Sequence, residues 1–315
     1  MQRTERSMVK NGIDRIKISV SDVNAAVAFF RDTIEMSVVG AEPLPAQAFQ
    51  RSWGLPAATT ANAVYLKNDE QSTVIELLEV RPHTGRYIRD GAKMYDYGLL
   101  DVAFRAKGLD AIYADLKARG VRFHSAPVVY TADWAKVTVS EAIMIGPDLM
   151  PVALIERLSE PKPYIRNRFG AMVDVAQYVQ DMDACSLFYT DILDYRSVFD
   201  QELPPGLIDE VVGLPPGSRS RLNLMYQLET KTPAVELIHC SSPGRSLAPV
   251  TGPTSYGLFA LSFETENLPT LLDAVRGAGF EVLAGPVETK TMLHGPITSA
   301  TVRGPNEVLL EFFSR

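Results

Sequence analysis

The strongest constraint on this chain is an internal repeat. Residues 97–123 read YGLLDVAFRAKGLDAIYADLKARGVRF and residues 256–282 read YGLFALSFETENLPTLLDAVRGAGFEV, a shift of 256 − 97 = 159 positions. The same shift relates the tripeptide Gly54-Leu55-Pro56 to Gly213-Leu214-Pro215. The repeat therefore spans whole halves of the chain, and each half is predicted to have the same architecture.

Composition limits the class of protein. At 315 residues the chain is long for one hydrophobic core, and its 46% hydrophobic and 22% charged residues are ordinary for a globular protein. No apolar run approaches the roughly 20 residues that a membrane helix needs. The polar N-terminal residues lack a secretory signal, and two cysteines without a CxxC pair fit a reducing compartment. The net charge of −7 argues against nucleic acid. We therefore expect a cytoplasmic protein whose partner is a small molecule, with no nucleic acid and no membrane; a homodimer stays open.

A fainter pattern recurs within each half: an alternating strand, an amphipathic helix, and further strands that end in an apolar run. The predicted opening strands are 13–20, 99–105, one from about 172, and 258–264; the predicted helices are 23–34, 109–119, 182–193 and 268–278. The predicted closing strands are 73–80, 150–156, 234–239 and 308–313. The charged, proline-containing stretch 159–168 reads as a linker. The predicted domains are 1–158 and 171–315, joined by 159–170.

Three phrases resemble a known superfamily. IDRIKISVSDVNAAVAFFRDTI is similar to the opening strand and helix of vicinal oxygen chelate proteins, GPNEVLLEFF is similar to their closing turn and strand, and GPDLMPVALIE is a weaker copy of that closure. This superfamily includes glyoxalase I, extradiol dioxygenases, epimerases and drug-binding resistance proteins. The resemblance implies an α+β fold in which four βαβββ modules form two curved, bowl-like mixed sheets flanked by helices.

The resemblance also locates the positions where metal-binding members carry ligands. The usual His of the opening strands falls on Arg15, Asp101, Asp174 and Ala260, and the usual Glu of the closing strands falls on Glu76, Ala153, Glu236 and Glu311. An iron(II) oxygenase needs two His and one carboxylate, so no His-based iron site is expected. His294 lies upstream of Glu311, near where extradiol enzymes carry a histidine that lies close to the metal ligands without binding the metal.

The pairing of modules decides what each bowl contains, and the sequence leaves it open. If neighbouring modules pair, one bowl holds Arg15, Glu76 and Asp101, and the other holds Asp174, Glu236 and Glu311. If the outer and inner modules pair instead, the inner bowl holds Asp101, Asp174 and Glu236, and the outer bowl holds Arg15, Glu76 and Glu311. Either way one bowl has three carboxylates. Because like charges in a low-dielectric cavity raise each other's pKa, that bowl is expected to take up a divalent ion such as Mg²⁺ or Mn²⁺, or to hold a proton.

Two other features suggest how a ligand is held. Some of the aromatic and Met residues on predicted strands and their connecting loops are expected to line a pocket for a planar or hydrophobic molecule, and most are expected to be core: Tyr65, Tyr130, Trp134, Tyr178, Met225 and Tyr226. The Pro- and Gly-rich segments 41–61 and 201–219 interrupt the first and third modules and are predicted to fold over the bowls as lids.

These features favour an enzyme of the vicinal oxygen chelate type, with lyase- or isomerase-like acid–base chemistry on an oxygenated organic substrate. The candidate catalytic residues are Asp174, Glu236, Asp101, His294 and Arg15, and the candidate metal ligands are Asp101, Asp174, Glu236 and Glu311. A carboxylate would act as base, and Arg15, a bound cation or His294 would stabilise the enolate-like charge. The alternatives are a non-catalytic protein that binds or sequesters a drug, and a divergent extradiol-type oxygenase.

Overall fold

The computed structural model describes residues 8–132, 136–227 and 230–315; Trp134 lies outside them. The strands are β1 (Val9–Ser19), β2 (Ser37–Pro43), β3 (Thr60–Lys67), β4 (Val74–Arg81), β5 (Gly98–Ala106), β6 (Arg122–Phe123), β7 (Val128–Ala132), β8 (Val137–Ile145), β9 (Pro151–Arg157), β10 (Phe169–Tyr178), β11 (Arg196–Glu202), β12 (Ser220–Tyr226), β13 (Ala234–Cys240), β14 (Gly257–Thr265), β15 (Glu281–Thr291), β16 (Gly295–Arg303) and β17 (Leu309–Ser314). The α-helices are α1 (Val23–Ala28), α2 (Ala46–Trp53), α3 (Leu109–Ala118), α4 (Met182–Leu187), α5 (Asp209–Val212) and α6 (Leu268–Gly277).

These strands form two curved mixed sheets, which confirms the predicted fold class. The outer sheet has the order β15-β16-β17-β14-β1-β4-β3-β2, so the first module pairs with the fourth. The inner sheet has the order β11-β12-β13-β10-β5-β9-β8-β6, with β7 beside β8, so the second module pairs with the third. The outer-and-inner arrangement is therefore the one that occurs. Each sheet combines strands from both sides of 159–170, and the division into domains 1–158 and 171–315 stays a prediction.

The centre of each sheet brings four functional strands together. In the outer sheet β1 pairs antiparallel with β14, while each of these pairs in parallel with the closing strand of its own module, β4 or β17. In the inner sheet β10 and β5 form the same central pair, flanked by β13 and β9. Since side chains alternate between the two faces of a strand, alternate residues of these four strands point into one bowl.

The opening helices of the first and third modules have the same construction. Asp22 caps α1 by accepting a hydrogen bond from the Ala25 N–H at 3.0 Å, and Asp181 caps α4 through the Ala184 N–H at 2.9 Å. Each helix continues into a wider π-helical turn, at Phe29–Thr33 or Phe188–Ile192. The predicted spans 23–34 and 182–193 thus match helical structure, including the Asp22 cap.

The repeated Gly-Leu-Pro tripeptides end the lid helices. Gly54 follows α2 with φ 62°, and Gly213 follows α5 with φ 68°, a left-handed conformation in which glycine has no steric penalty. The residues of α2 line the outer bowl, and Ile208, Val211 and Val212 of the α5 region line the inner bowl. The prediction that the segments 41–61 and 201–219 cover the bowls is therefore confirmed.

One large apolar core includes buried residues of both sheets, among them Ile16 and Phe263 of the outer sheet and Val102 and Val175 of the inner sheet. None of the described helices is both long enough and apolar enough to cross a membrane. The two cysteines, Cys185 and Cys240, are buried free thiols.

Candidate functional site

The inner bowl collects acidic side chains from four strands. We define it by Asp101 on β5, Glu141 on β8, Asp174 on β10 and Glu236 on β13, which line one cavity. Asp101, Asp174 and Glu236 were predicted to share a bowl under the outer-and-inner pairing. Glu141 was missed, because it lies on a penultimate strand where the superfamily resemblance places no ligand; its only sequence mark is an acid between apolar residues in SEAIM.

Register explains why these acids lack cationic partners. In the outer sheet Lys17 lies opposite Glu76, and in the inner sheet Ala176 lies opposite Glu236. Residue 176 is 17 + 159, so the two pairs are equivalent in the repeat, and the inner copy has an alanine in place of the lysine. The strand position two residues earlier also changes from a cation to a residue without positive charge: the outer sheet has Arg15, and the inner sheet has Asp174.

Burial and mutual repulsion raise the pKa values of Asp101, Asp174 and Glu236. Burial, followed by the charge of Glu141, raises the pKa of Asp174 to about 7, while Arg105 acts in the opposite direction. Burial and the neighbouring Asp174 also raise the pKa of Glu236 and of Asp101 well above their ordinary values. Asp174 is thus the group whose charge changes near neutral pH, as a general base requires.

Tyr130 limits the rise in the pKa of Glu141. Its hydroxyl donates a hydrogen bond of 2.5 Å to Glu141 Oε2. Burial raises the pKa of Glu141, and the hydrogen bond from Tyr130 opposes that rise. Tyr130 is also the predicted aromatic that lines the inner cavity, whereas Tyr65 and Met225 are core residues.

Replacing Tyr130 by Phe is expected to raise the pKa of Glu141 further, because the hydrogen bond that favours the ionised carboxylate is lost and burial acts unopposed. A pH titration of glutamate carboxyl ¹³C signals, with Glu141→Gln used for assignment, measures the change. Tyr113→Phe is the control, since the Tyr113 hydroxyl bonds only the exposed Lys117. An unchanged Glu141 titration in Tyr130→Phe would contradict this interpretation.

The deep end of the inner bowl contains two polar atoms without partners. Asp101 Oδ1 and the Tyr178 hydroxyl are buried and make no hydrogen bond within the described part of the chain. Arg89 is nearby, since its charge lowers the pKa of Asp101, but its guanidinium bonds the backbone carbonyls of Leu99, Lys93 and Met94. Because an unmade buried hydrogen bond costs about 1–3 kcal/mol, the unpaired oxygen of Asp101, which lines the cavity, favours a polar ligand or water there.

The inner cavity has a volume of about 70 Å³, which holds a few waters or a small reacting group. It shares Tyr130, Ile155, Leu222 and Glu236 with a larger groove of about 680 Å³. The groove therefore provides a path from solvent to the acids.

The outer bowl is chemically different, because its charges neutralise one another. We define it by Arg15, Lys17, Glu76 and Glu311. Arg15 lies 3.4 Å from Glu76 and 3.0 Å from Glu311, while Lys17 lies 2.7 Å and 3.1 Å from the same two carboxylates. Ser262 adds a hydrogen bond of 2.7 Å to Glu311. Burial acts to raise the pKa of Glu311, but Lys17 and Arg15 outweigh it and lower that pKa to about 2.

Aromatic side chains close the outer bowl. Arg15 lies 4.8 Å from the centre of the Phe313 ring, and Lys17 lies 5.7 Å from that of Trp53. The remaining cavity is about 30 Å³, less than half the inner one. Lys17 was not among the predicted site residues, although its place two residues after Arg15 on one strand puts it on the same face.

His294 lies at the edge of the outer bowl. Its Nε2 is 2.9 Å from Asp14 Oδ2, and its ring stacks on Phe313 at 4.8 Å. Arg15 lines the outer bowl and His294 lies beside it, so neither shares the inner cavity with Asp174. Their predicted role in stabilising negative charge stays a prediction. The arginine whose charge acts on Asp174 is Arg105.

The predicted metal ligands do not form one site. Glu311 belongs to the outer bowl, whereas Asp101, Asp174 and Glu236 belong to the inner bowl. Across residues 8–132, 136–227 and 230–315, no three His, Cys, Asp or Glu side chains are arranged to hold a metal ion. The side chains as placed therefore do not fit a divalent ion, and metal binding stays a prediction.

Comparison with known proteins agrees with this architecture. Residues 12–136 and 171–312 match the model of the Glyoxalase/Bleomycin resistance protein/Dioxygenase superfamily. Glyoxalase I from Zea mays is similar in structure, with a TM-score of 0.64, 13% identity, and coverage of 96% of this chain and 92% of that one. A putative dioxygenase from Bacillus subtilis subsp. subtilis str. 168 has a TM-score of 0.58 at 11% identity, covering 99% and 86%. A search of curated proteins found no match.

Four βαβββ modules that form two bowls define a tandem protein of the vicinal oxygen chelate class. The chain belongs to the Glyoxalase/Bleomycin resistance protein/Dioxygenase superfamily. At 11–13% identity the likeness to the solved structures concerns the fold and does not specify a reaction.

Proposed function

We propose that the inner bowl is the active site of an enzyme that moves a proton on a small oxygenated organic substrate, in an isomerisation or elimination. The observation that carries this proposal is Asp174, a buried carboxyl whose pKa lies near 7 in a cavity that connects to solvent through a groove. A carboxylate of ordinary pKa near 4 is a weak base at neutral pH, whereas one near 7 is poised both to accept and to return a proton.

The proposed reaction uses protein groups alone. The ionised Asp174 takes a proton from a carbon next to a carbonyl, and the electron pair of that C–H bond moves toward the carbonyl oxygen. Glu236 and Asp101, whose raised pKa values favour the protonated form, donate hydrogen bonds to the oxygen as negative charge develops there. If the substrate has a hydroxyl next to the carbonyl, the hydroxyl proton moves to the enolate oxygen and Asp174 returns its proton to the former carbonyl carbon, which gives an isomer. If it has a β-substituent, the electron pair re-forms the carbonyl, the bond to the substituent breaks, and the substituent leaves with the proton from Asp174, which gives an elimination product.

The outer bowl is proposed to be structural. Each of its charged groups already has an ion-pair partner within 3.4 Å, so none is free to act as a base without breaking the network. The repeat therefore contains one bowl with balanced charges and one with excess acid, and the excess acid is the functional difference between them.

A binding protein is the second candidate. The groove beside the inner bowl is lined by apolar and aromatic side chains, among them Val139, Phe199 and Leu224, which suit a hydrophobic ligand. A protein that only sequesters its ligand would bind in this groove without exchanging its protons.

Solvent exchange distinguishes the two candidates even before the natural substrate is identified. The protein is incubated in D₂O at pD 7–8 with phenylpyruvate, pyruvate or dihydroxyacetone, in parallel with and without added Mg²⁺ or Mn²⁺, and loss of the C–H signal is followed by ¹H NMR. We expect exchange of at least one compound above the spontaneous rate, and none beyond it with Asp174→Asn. Exchange that is equal in the two proteins, or absent with every compound, would refute the proposal.

We further infer a cytoplasmic location, in keeping with the two reduced, buried thiols Cys185 and Cys240.

A further inference from the structure

The groove that leads into the inner bowl has a chemistry of its own. We call it the mouth groove and define it by residues of β5 and β7–β13 that enclose about 680 Å³. The residues used below are Arg105, Arg157, Phe199, Asp200, Leu224 and Glu236. Because the groove shares Tyr130 and Glu236 with the inner cavity, a ligand in the groove is continuous with the proposed active site.

Two cations in the mouth groove lack acidic partners. Arg105 and Arg157 form no salt bridge with the described residues, and the contact of Arg157 is a 3.3 Å hydrogen bond from its Nε to the Ser159 carbonyl. Burial and Asp174 raise the pKa of the inner-bowl residue Glu236 well above its ordinary value, which weakens it as a counter-ion. Although the charge of Arg105 acts on Asp174, neither Arg105 nor Arg157 is held in a salt bridge in the described part of the chain, so both guanidinium groups can bind an anion.

The other acid of the groove is already engaged. Asp200 accepts hydrogen bonds of 2.7 Å and 2.8 Å from Arg221 in a two-pronged ion pair. Asp200 is therefore paired with Arg221 and not with Arg105 or Arg157.

The remaining walls of the mouth groove are apolar. Val137, Val139 and Val173 line it from the inner sheet, and Phe199 and Leu224 line it from the neighbouring edge strands. A groove with two unpaired guanidinium groups and these walls matches a molecule that has an anionic group attached to an apolar or aromatic body.

We propose that the mouth groove binds the anionic group and apolar body of the substrate, so that this enzyme acts on a small carboxylate-bearing molecule. The inference rests on the proposed function of the inner bowl. Arg105 and Arg157 hold the carboxylate, the body lies along Phe199 and Leu224, and the reacting carbonyl enters the bowl. The reverse orientation is unfavourable, because it would place the carboxylate beside Asp174 and Glu141 and leave Arg105 and Arg157 without an anion.

A matched pair of probes tests the charge requirement. Phenylacetate and phenylacetamide have nearly the same shape, and only phenylacetate carries a charge at pH 7. We expect the protein to bind phenylacetate at least 10-fold more tightly than phenylacetamide, measured by calorimetry or ligand-observed NMR. Raising the salt concentration should weaken phenylacetate binding and leave phenylacetamide binding unchanged.

Variants locate the site. Arg105→Gln and Arg157→Gln should each weaken phenylacetate binding about 10-fold, because each removes one charge-assisted hydrogen-bonding group, and neither should change phenylacetamide binding. Arg276→Gln is the control, since Arg276 is exposed on α6 and pairs with Asp273. Equal affinity for the two probes, no binding of phenylacetate at millimolar concentration, or the same loss in Arg276→Gln would overturn the inference.

The binding test of the mouth groove and the proton-exchange test of the proposed function can fail independently of each other. Asp174→Asn removes the proposed base and a negative charge, so it should bind phenylacetate at least as tightly as the parent protein. If phenylacetate binds through Arg105 while no compound exchanges protons, the mouth groove stands as an anion site and the catalytic proposal fails. If protons exchange but the arginine variants bind phenylacetate normally, the catalytic proposal stands and the inference about the groove fails.

Discussion

Replacing Asp174 by Asn is expected to lower the rate of proton exchange by about 10²–10⁴-fold, the range over which a positioned general base contributes. The amide has nearly the same shape as the carboxyl but cannot accept the proton, so binding and fold should be retained. The rate is measured by the D₂O assay with the best compound of the panel. Asp273→Asn, a change at an exposed residue of α6, is the matched control and should have the parent rate.

The same substitution should increase stability at alkaline pH. The pKa of Asp174 is raised from an ordinary 3.8 to about 7, so its favourable contribution to folding is complete below about pH 4 and is lost as the pH rises through 7. Asparagine has no charge to bury. Asp174→Asn should therefore be more stable than the parent by ~2–4 kcal/mol at pH 9, measured by urea unfolding.

Other charged or titratable groups face Asp174. They are Asp101 and Arg105 on β5, Glu141 on β8, Glu236 on β13, Tyr226 on β12 and Tyr130 on β7. Because three of them are acids, the removal of one charge also lets the remaining acids ionise more easily. An Asp174→Asn protein with the parent rate, or with the parent stability at pH 9, would show that Asp174 is a structural residue.

Local physics explains why the fold could be predicted. The 159-residue shift indicated two equivalent halves, a fainter recurrence divided each half into two modules, and apolar spacing placed the first helix within the observed helical span. The Pro- and Gly-rich composition of segments 41–61 and 201–219 predicted lids, whereas the helices α2 and α5 within them were not predicted. These features can be recognised from the order of residues along the chain, without knowing which distant residues are in contact.

The site could be predicted only in part, because it depends on contacts between distant strands. Asp174 and Glu236 belong to one module and were placed together under either pairing of modules. Glu141 and Arg105 lie on other strands than Asp174, 33 and 69 positions away in the sequence. No local pattern marks them as site residues. Arg15 could not be assigned to one set of partners, with Asp101 or with Glu311, and His294 was assigned to neither bowl, because the sequence left the pairing of modules open.

Replacing Glu311 by Gln is expected to destabilise the protein by ~3–5 kcal/mol at pH 7, the usual cost of removing one partner from a buried ion pair. Glutamine keeps the shape and an oxygen that can accept from Ser262, but it leaves the two cations Arg15 and Lys17 with Glu76 as their main counter-charge. Urea unfolding followed by tryptophan fluorescence measures the loss. The control is Glu281→Gln, whose exposed pair with Arg303 should contribute ~0–1 kcal/mol.

The pH dependence of this loss has the opposite sign to that of the inner bowl. Lys17 and Arg15 lower the pKa of Glu311 from 4.5 to about 2, so its contribution to stability is complete above about pH 4.5 and is lost as the pH falls toward 2. The gap between the parent and Glu311→Gln should therefore narrow from pH 7 to pH 3, whereas the gap between the parent and Asp174→Asn should open above pH 7. A loss below ~1 kcal/mol at pH 7, comparable to that of Glu281→Gln, would mean that the outer-bowl network does not stabilise the fold. That bowl would then be the better place to look for bound ligand.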